Sequence, residues 1–330
     1  MSDTEAEVER PAIRAALAAA RPDGDPVAIE PVRQGNRKQT RLVRFASSEP
    51  VVLQTRRPAN ALRAEATLLA AIRDLTSVPV PRVLAAGAVG GVAFLATRFV
   101  GGADLHERFT ELDPAPRRSI VRSFGRHLAN LHEAFRFRRF GDLTCDGDGS
   151  DECEIEATRT RLRATGPADF REWLAAYGSA AVERLLPAFD DLRADLRELL
   201  ADPAVDPTPT PRLFPWDFRP GNALVADDGL AAVLDWERPR AADAALAFAK
   251  TEHLVADWYV ADPGPLREAF RAGYASVRPV PDVAPVHRVV AVADSAVDSR
   301  GSVTNPRFPE LDRDGAVRFH RRALERALGP

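Results

Sequence analysis

The sequence predicts an α+β, bilobal fold: a small mixed sheet-plus-helix lobe over residues 1–100 and a larger, mainly helical lobe over residues 101–330. Three observations carry this reading. Before Gly101-Gly102 the apolar runs follow the order strand, strand, strand, helix, strand, strand. Beyond it the apolar spacing turns helical. Late in the chain a short hairpin pattern interrupts the helices, flanked by Asp217, Asn222 and Asp235.

The elements follow in order. Glu7 to Ala20 reads as an Ala-rich amphipathic helix, stopped by Arg21-Pro22-Asp23-Gly24. Val27 to Arg33, Thr40 to Ala46 and Val51 to Arg56 read as strands joined by Gln34-Gly35-Asn36 and Ser47-Ser48-Glu49-Pro50. Ala61 to Asp74 places Leu62, Leu68, Leu69 and Ile72 at helical spacing. Val83 to Ala88 and Val92 to Phe99 form two more strands, turning at Gly90-Gly91. In the second lobe, helices are expected over Pro116 to Phe135, Glu154 to Leu162, Pro167 to Tyr177 and Ala180 to Leu200. Pro203 to Pro211 is a proline-rich connector, and Ala241 to Trp258, Pro265 to Ala275 and Asp314 to Ala327 are again helical. Two such lobes would leave a cleft at their junction, where ligands usually sit.

Composition narrows the function classes. A net charge of −3 gives no general pull toward nucleic acid or an anionic membrane. Only two of the 45 basic residues are lysines, Lys38 and Lys250, which reads as a GC-rich genome. The acidic N-terminus lacks a signal pattern, and no apolar run approaches a membrane span, so the expectation is a cytoplasmic protein with no membrane partner. Cys145 and Cys153 match no zinc or redox spacing. His127 and His132 fall in a helical pattern and read as packing residues.

The hairpin carries the chemistry. Asn222-Ala-Leu-Val-Ala and Ala-Ala-Val-Leu-Asp235 flank Asp227-Asp228-Gly229-Leu230. With Asp228-Gly229 as a two-residue loop, Asp227 faces Leu230 and Asn222 faces Asp235, roughly 5 Å apart at Cβ. One divalent ion would then touch both; a three-residue loop would slip this register. Pro220-Gly221 keeps Asp217 off the strand. Phosphoryl transfer needs a carboxylate beside the attacking hydroxyl and oxygen ligands for magnesium. A surface turn with solvated acids is the plain alternative for the hairpin alone.

The run Phe214-Pro-Trp-Asp-Phe-Arg-Pro-Gly-Asn222 with Leu234-Asp-Trp-Glu237 resembles the catalytic segment of the aminoglycoside phosphotransferase family, a branch of the protein-kinase-like fold. That family carries His-Gly-Asp-x-x-x-x-Asn, then a hydrophobic residue, Asp, Trp or Phe, and Glu or Gly. The resemblance implies Asp217 as catalytic base or hydroxyl-orienting carboxylate and Asn222 and Asp235 as Mg2+ ligands. Leu-x-x-Leu-His132 and Val78-Pro-Val-Pro-x-Val83 also match, and the resemblance spans roughly Val27 to Trp258. Two positions of the segment depart: Pro215 stands at the family's His and Trp216 at its Gly.

The same resemblance implies a nucleotide site in the small lobe. Gln34-Gly35-Asn36-Arg37-Lys38 is the phosphate-covering hairpin, with Gly35-Asn36 a loose echo of Gly-x-x-Asn. Gln54 stands where the family strand ends in Lys or Arg. Arg56, two residues on and therefore on the same face, is the substitute as partner of a phosphate or of Glu65; Lys38 and Arg41 on the neighbouring strand are the other candidates. Glu65 matches the helix glutamate that pairs with that strand cation. Backbone groups near Thr97, Arg98 and Phe99, in the expected hinge, would bond the adenine edge. The implied reaction moves the γ-phosphoryl group of ATP, with Mg2+, to a hydroxyl of a small molecule. Gln54, Pro215 and Trp216 motivate the alternative, a catalytically weak or inactive nucleotide-binding, pseudokinase-like protein. The acidic stretch Asp142 to Glu154 would attract a polyamine or be a solvated loop. The acceptor and the oligomeric state are left open.

Overall fold

The computed structural model describes residues 3–32, 38–145, 162–227 and 229–329. They form two compact units, one drawn from residues 1–101, 143–163 and 236–239, the other from 102–142, 164–235 and 240–330. Among the described residues no helix is long and apolar enough to cross a membrane.

The first unit is a five-stranded antiparallel sheet with helix α1 (Asp3–Ala20) packed on it. Its strands are β1 (Pro26–Val32), β2 (Gln39–Phe45), β3 (Val51–Arg56), β4 (Val83–Val89) and β5 (Val92–Arg98), in the order β1-β2-β3-β5-β4. Helix α2 (Arg63–Leu75) joins β3 to β4. Alternation sorts the strand residues by face. Val43, Phe45, Val51 and Leu53 meet Ala12, Ala16 and Ala20 of α1 in one buried cluster. Arg41 shares that face, where it donates to Thr55 Oγ1 at 3.0 Å and Glu9 Oε2 at 2.5 Å. Thr40 and Gln54 are directly opposite one another on the other face.

The second unit contains β6 (Ala103–Asp104), α3 (Leu105–Arg108), α4 (Pro114–Ala134), and the start of β7 (Gly141–Cys145). After β8 (Leu162–Ala164) come α5 (Phe170–Glu183), a 3-10 turn at Pro187–Leu192, α6 (Arg193–Ala201) and β9 (Arg212–Phe214). The hairpin β10 (Ala223–Ala226) and β11 (Gly229–Val233) precedes β12 (Arg240–Ala242). Four helices follow: α7 (Ala244–Glu252), α8 (Gly264–Ala275), α9 (Pro285–Ala296) and α10 (Arg313–Leu328).

Several expected elements are corrected. The helix expected over Ala180 to Leu200 is two helices, because Pro187 cannot donate to a helical ladder and opens the 3-10 turn instead. Gly178 is not a break: a Cβ there would lie 2.4 Å from Leu200 Cδ2, so this glycine lets α5 approach α6. The start of the helix expected over Ala241 to Trp258 is a strand, since Arg240–Ala242 is taken up, fully buried, between β9 and β7. Leu162 lies in β8, while residues 154–161 of the same expected helix lie outside the described residues. Helix α9 was not foreseen. Its Val-His-Arg-Val-Val-Ala-Val-Ala is rich in β-branched residues, and it is buried on nearly every side, so no polar face marks it.

Helices α4 and α8 pack at backbone contact through Gly125 and Gly273. A Cβ on Gly273 would come within 1.9 Å of the Arg122 carbonyl oxygen, and one on Gly125 within 2.0 Å of that of Phe270. His132 lies in this contact, fully buried, its Nδ1 2.7 Å from Tyr274 Oη, consistent with a packing role. Gly273→Ala is expected to lower stability by about 2 kcal/mol through overpacking; an unchanged urea midpoint would refute the tight contact.

Candidate active site

In the second unit, the residues from Phe214 to Asp235 fold around Asp217. Two core side chains bracket the loop: Phe214 ends β9, and the Phe218 ring stands edge-on to Phe124 of α4 at 5.1 Å. Between them Trp216 adopts a positive φ of 47°, a region L residues enter at a cost. The chain then turns through Pro220–Asn222, a single 3-10 turn whose N–H at Asn222 donates to the Arg219 carbonyl.

This turn brings Asn222 back onto Asp217. Its Nδ2 donates to Asp217 Oδ2 at 2.9 Å and to the Asp217 carbonyl at 3.0 Å. Asp217 Oδ1 accepts from Arg219 Nε at 2.7 Å. The Arg219 guanidinium lies 5.2 Å over the Trp258 ring. Burial opposes the Arg219 charge, but Asp217, Tyr259 and Asp235 hold its pKa above the usual value. Tyr259 Oη lies 2.7 Å from His106 Nδ1, and the His106 pKa is lowered by burial and by the charge of Arg219. Arg219, His106 and Tyr259 were not foreseen. Arg219 was legible two residues beyond Asp217; His106 and Tyr259 left no local signal.

The hairpin register differs from the expected one. Ala226 is opposite Gly229, and Asp227, in the turn, takes a φ of 47°; Asp228 lies outside the described residues. A bulge at Leu224/Val225 then shifts the pairing, so Ala223 faces Val233 and the Leu234 N–H donates to the Asn222 carbonyl at 2.7 Å. Asn222 is thus level with Leu234, and Asp235 stands one residue further along at a φ of 60°. The turn moved two positions in register, and the bulge restored one of them.

In the first unit, Lys38 is the cation on Glu65, its Nζ 2.9 and 3.1 Å from the two carboxylate oxygens, and the pair is buried. Arg56 instead lies 3.7 Å from Glu237, which Lys38 also approaches at 3.9 Å. The Arg56–Glu65 partnership is therefore replaced by Lys38–Glu65, with Glu237 between the two cations. The registry explains this: Thr40 pairs with Gln54, so Lys38 and Arg56 continue the same face of β2 and β3. Arg41 points to the opposite face, toward α1. Thr97 is buried in β5. The N–H groups of Arg98 and Phe99 donate to Arg82 and Pro50 carbonyls at 2.8 and 3.1 Å, so neither donor serves an adenine edge in this arrangement. Gly35 and Asn36 lie outside the described residues, as does Cys153. Cys145 sits 3.0 Å from Thr67 Oγ1.

Known proteins align with this arrangement. Residues 28–286 match the sequence model of the phosphotransferase enzyme family. No curated protein sequence matches the chain. Solved structures match throughout. A Ralstonia eutropha protein provisionally named an aminoglycoside phosphotransferase superposes with a TM-score of 0.64 at 16% identity, covering 98% of this chain and 97% of its own. A thermostable mutant of aminoglycoside phosphotransferase APH(4)-Ia, in a ternary complex with ADP and hygromycin B, gives 0.63 at 14% identity, covering 98% and 99%. A Thermobifida fusca protein provisionally named a fructosamine-3-kinase gives 0.56 at 20% identity, covering 94% and 97%.

Proposed function

The chain belongs to the phosphotransferase enzyme family, and from that premise we propose that it transfers the γ-phosphoryl group of ATP to a hydroxyl of a small molecule. The observation that carries the reading is the Asp217–Asn222 contact at 2.9 Å, with Asp235 just past the adjoining hairpin. Asp217 would accept or orient the acceptor's hydroxyl proton. Arg219 and Asn222 fix its two carboxylate oxygens, one each. Asn222 spends its Nδ2 on Asp217, and its Oδ1 would serve as a neutral oxygen ligand together with the carboxylate of Asp235, one residue past the position level with Asn222, a donor set that suits Mg2+. Magnesium, when bound, supplies positive charge against the phosphates. In the first unit, Lys38, held by Glu65, and Arg56 are the cations for the nucleotide phosphates. The ligands of the APH(4)-Ia neighbour, ADP and hygromycin B, fit this class of reaction without naming the acceptor here. A cytoplasmic location belongs to the same proposal.

Asp235→Ala tests the assignment. ATP with magnesium is expected to stabilise the wild type by about 3 kcal/mol at a hundred times the dissociation constant, and the variant is expected to lose the magnesium-dependent part. Equal thermal shifts would remove Asp235 from the ligand set. One observation favours a second reading, nucleotide binding without efficient transfer: Arg219 already neutralises Asp217. A magnesium-dependent shift with no transfer to any member of a broad hydroxyl-compound panel would favour it.

A further inference from the structure

A buried polar cluster of the second unit ends on the residue before Asp217. Asp294 on α9 is 5% exposed and Lys250 on α7 is 3% exposed. Asp294 Oδ2 accepts from Trp216 Nε1 at 2.7 Å, from Tyr177 Oη at 2.6 Å and from Lys250 Nζ. Its Oδ1 accepts from Arg184 at 2.7 Å. The Trp216 ring is gripped further by Lys250 Nζ, 4.7 Å from its centroid, and by the Arg240 guanidinium at 5.8 Å. Burial alone would raise the Asp294 carboxyl, but the charge and hydrogen bond of Lys250, with Tyr177 and Arg184, hold it well below the usual carboxylate range.

Charged groups of this kind are a poor route to stability, because desolvation consumes much of the attraction. They do impose one geometry. Here the geometry imposed is that of Trp216, whose backbone stands at a φ of 47° and needs over-determination to persist. Pro215 brings no side-chain donor to the loop, so the indole is the tether on this side of Asp217. Helices α5, α7 and α9 and strand β12 each send one side chain to it.

We propose that Asp294, with Lys250 and Tyr177, is a positioning residue that holds the Asp217 loop in its reactive geometry through the Trp216 indole N–H. The kinetic consequence rests on the phosphotransferase reading above; the positional one does not.

Trp216→Phe removes the N–H and keeps a ring for Lys250, so the buried ion pair survives. Hydrogen–deuterium exchange of the 215–223 amides is expected to accelerate about tenfold, the loss of one hydrogen bond to a charged group, with α4 and α8 unchanged. Hydrolysis of Mg-ATP, with water as acceptor, is expected to show a kcat lower by a similar factor at unchanged KM for ATP. Arg184→Gln, which strips only the half-exposed arm on Oδ1, should leave loop exchange at the wild-type rate. Wild-type loop exchange in Trp216→Phe overturns the proposal. So does equal acceleration across α4 and α8, which would make the cluster a stability element only. Faster loop exchange with unchanged kcat overturns the catalytic role as well. A wild type that shows neither ATP hydrolysis nor a Mg-ATP thermal shift defeats the phosphotransferase reading, and the exchange rates still decide the tether.

Discussion

Asp217→Asn is expected to lower phosphoryl transfer by at least about a hundredfold, the usual scale of lost general-base catalysis, while the Mg-ATP thermal shift persists. The substitution is nearly isosteric. The replacement amide would keep one oxygen for Arg219 Nε, now 2.7 Å from Asp217 Oδ1. It would not keep an oxygen for Asn222 as well, and it cannot take a proton from an acceptor hydroxyl. The groups assigned to the phosphates, Lys38 and Arg56, belong to the other unit and are untouched. The measurement pairs two assays on one preparation: transfer of radiolabelled phosphate to the acceptor found by panel screening, and the thermal shift with ATP and magnesium. Wild-type transfer by the variant would remove Asp217 from the chemistry. Loss of both signals would mean that the substitution had damaged the fold.

Acid is expected to destabilise the protein well before its carboxylates titrate. Burial pulls His127 and His320 down to about 4. In the unfolded chain each protonates near 6.5. Between these two values the unfolded state binds more protons, so stability falls as pH falls through that window. At pH 5 each histidine costs up to about 2 kcal/mol relative to pH 7. Below the window Asp257, held at about 2 chiefly by His253 and Arg267 against burial, extends the loss. Asp243 works the other way, since burial raises its carboxyl. Urea unfolding at pH 7 and pH 5 checks the sign, and His127→Leu should flatten the slope. A midpoint that does not move between the two pH values would show that these imidazoles are not held neutral.

Much of the first unit was legible. β3 begins and ends at Val51 and Arg56 as read, and β2, β4 and β5 shift by a residue at their ends. Alternation over a half-buried sheet is a local property, written every second residue. The same alternation puts Arg41 and Lys38 on opposite faces, yet both stand as candidate cations in the sequence, and the structure is what assigns Arg41 to the face of α1. Alternation did not choose between Lys38 and Arg56 for Glu65, because both are on one face and the choice turns on where α2 and Glu237 stand. Helix α9 and the break at Pro187 illustrate the reverse. A helix buried on all sides carries no amphipathic stripe, and a strand such as Arg240–Ala242 exists only because two other strands accept it.

By itself, the sequence determined the family, the order of strands and helix in the first hundred residues and the spacing of Asp217, Asn222 and Asp235, since those are set by covalent connectivity and local periodicity. Only the tertiary structure decided that Asn222 is level with Leu234, that Lys38 rather than Arg56 pairs with Glu65, and that Trp216 hangs from Asp294. Registers with bulges, ion-pair choices and buried tethers depend on groups distant in the chain, 110 positions apart in the case of Arg184 and Asp294. Burial makes such contacts strong enough to override local preference, and no window of sequence contains both partners.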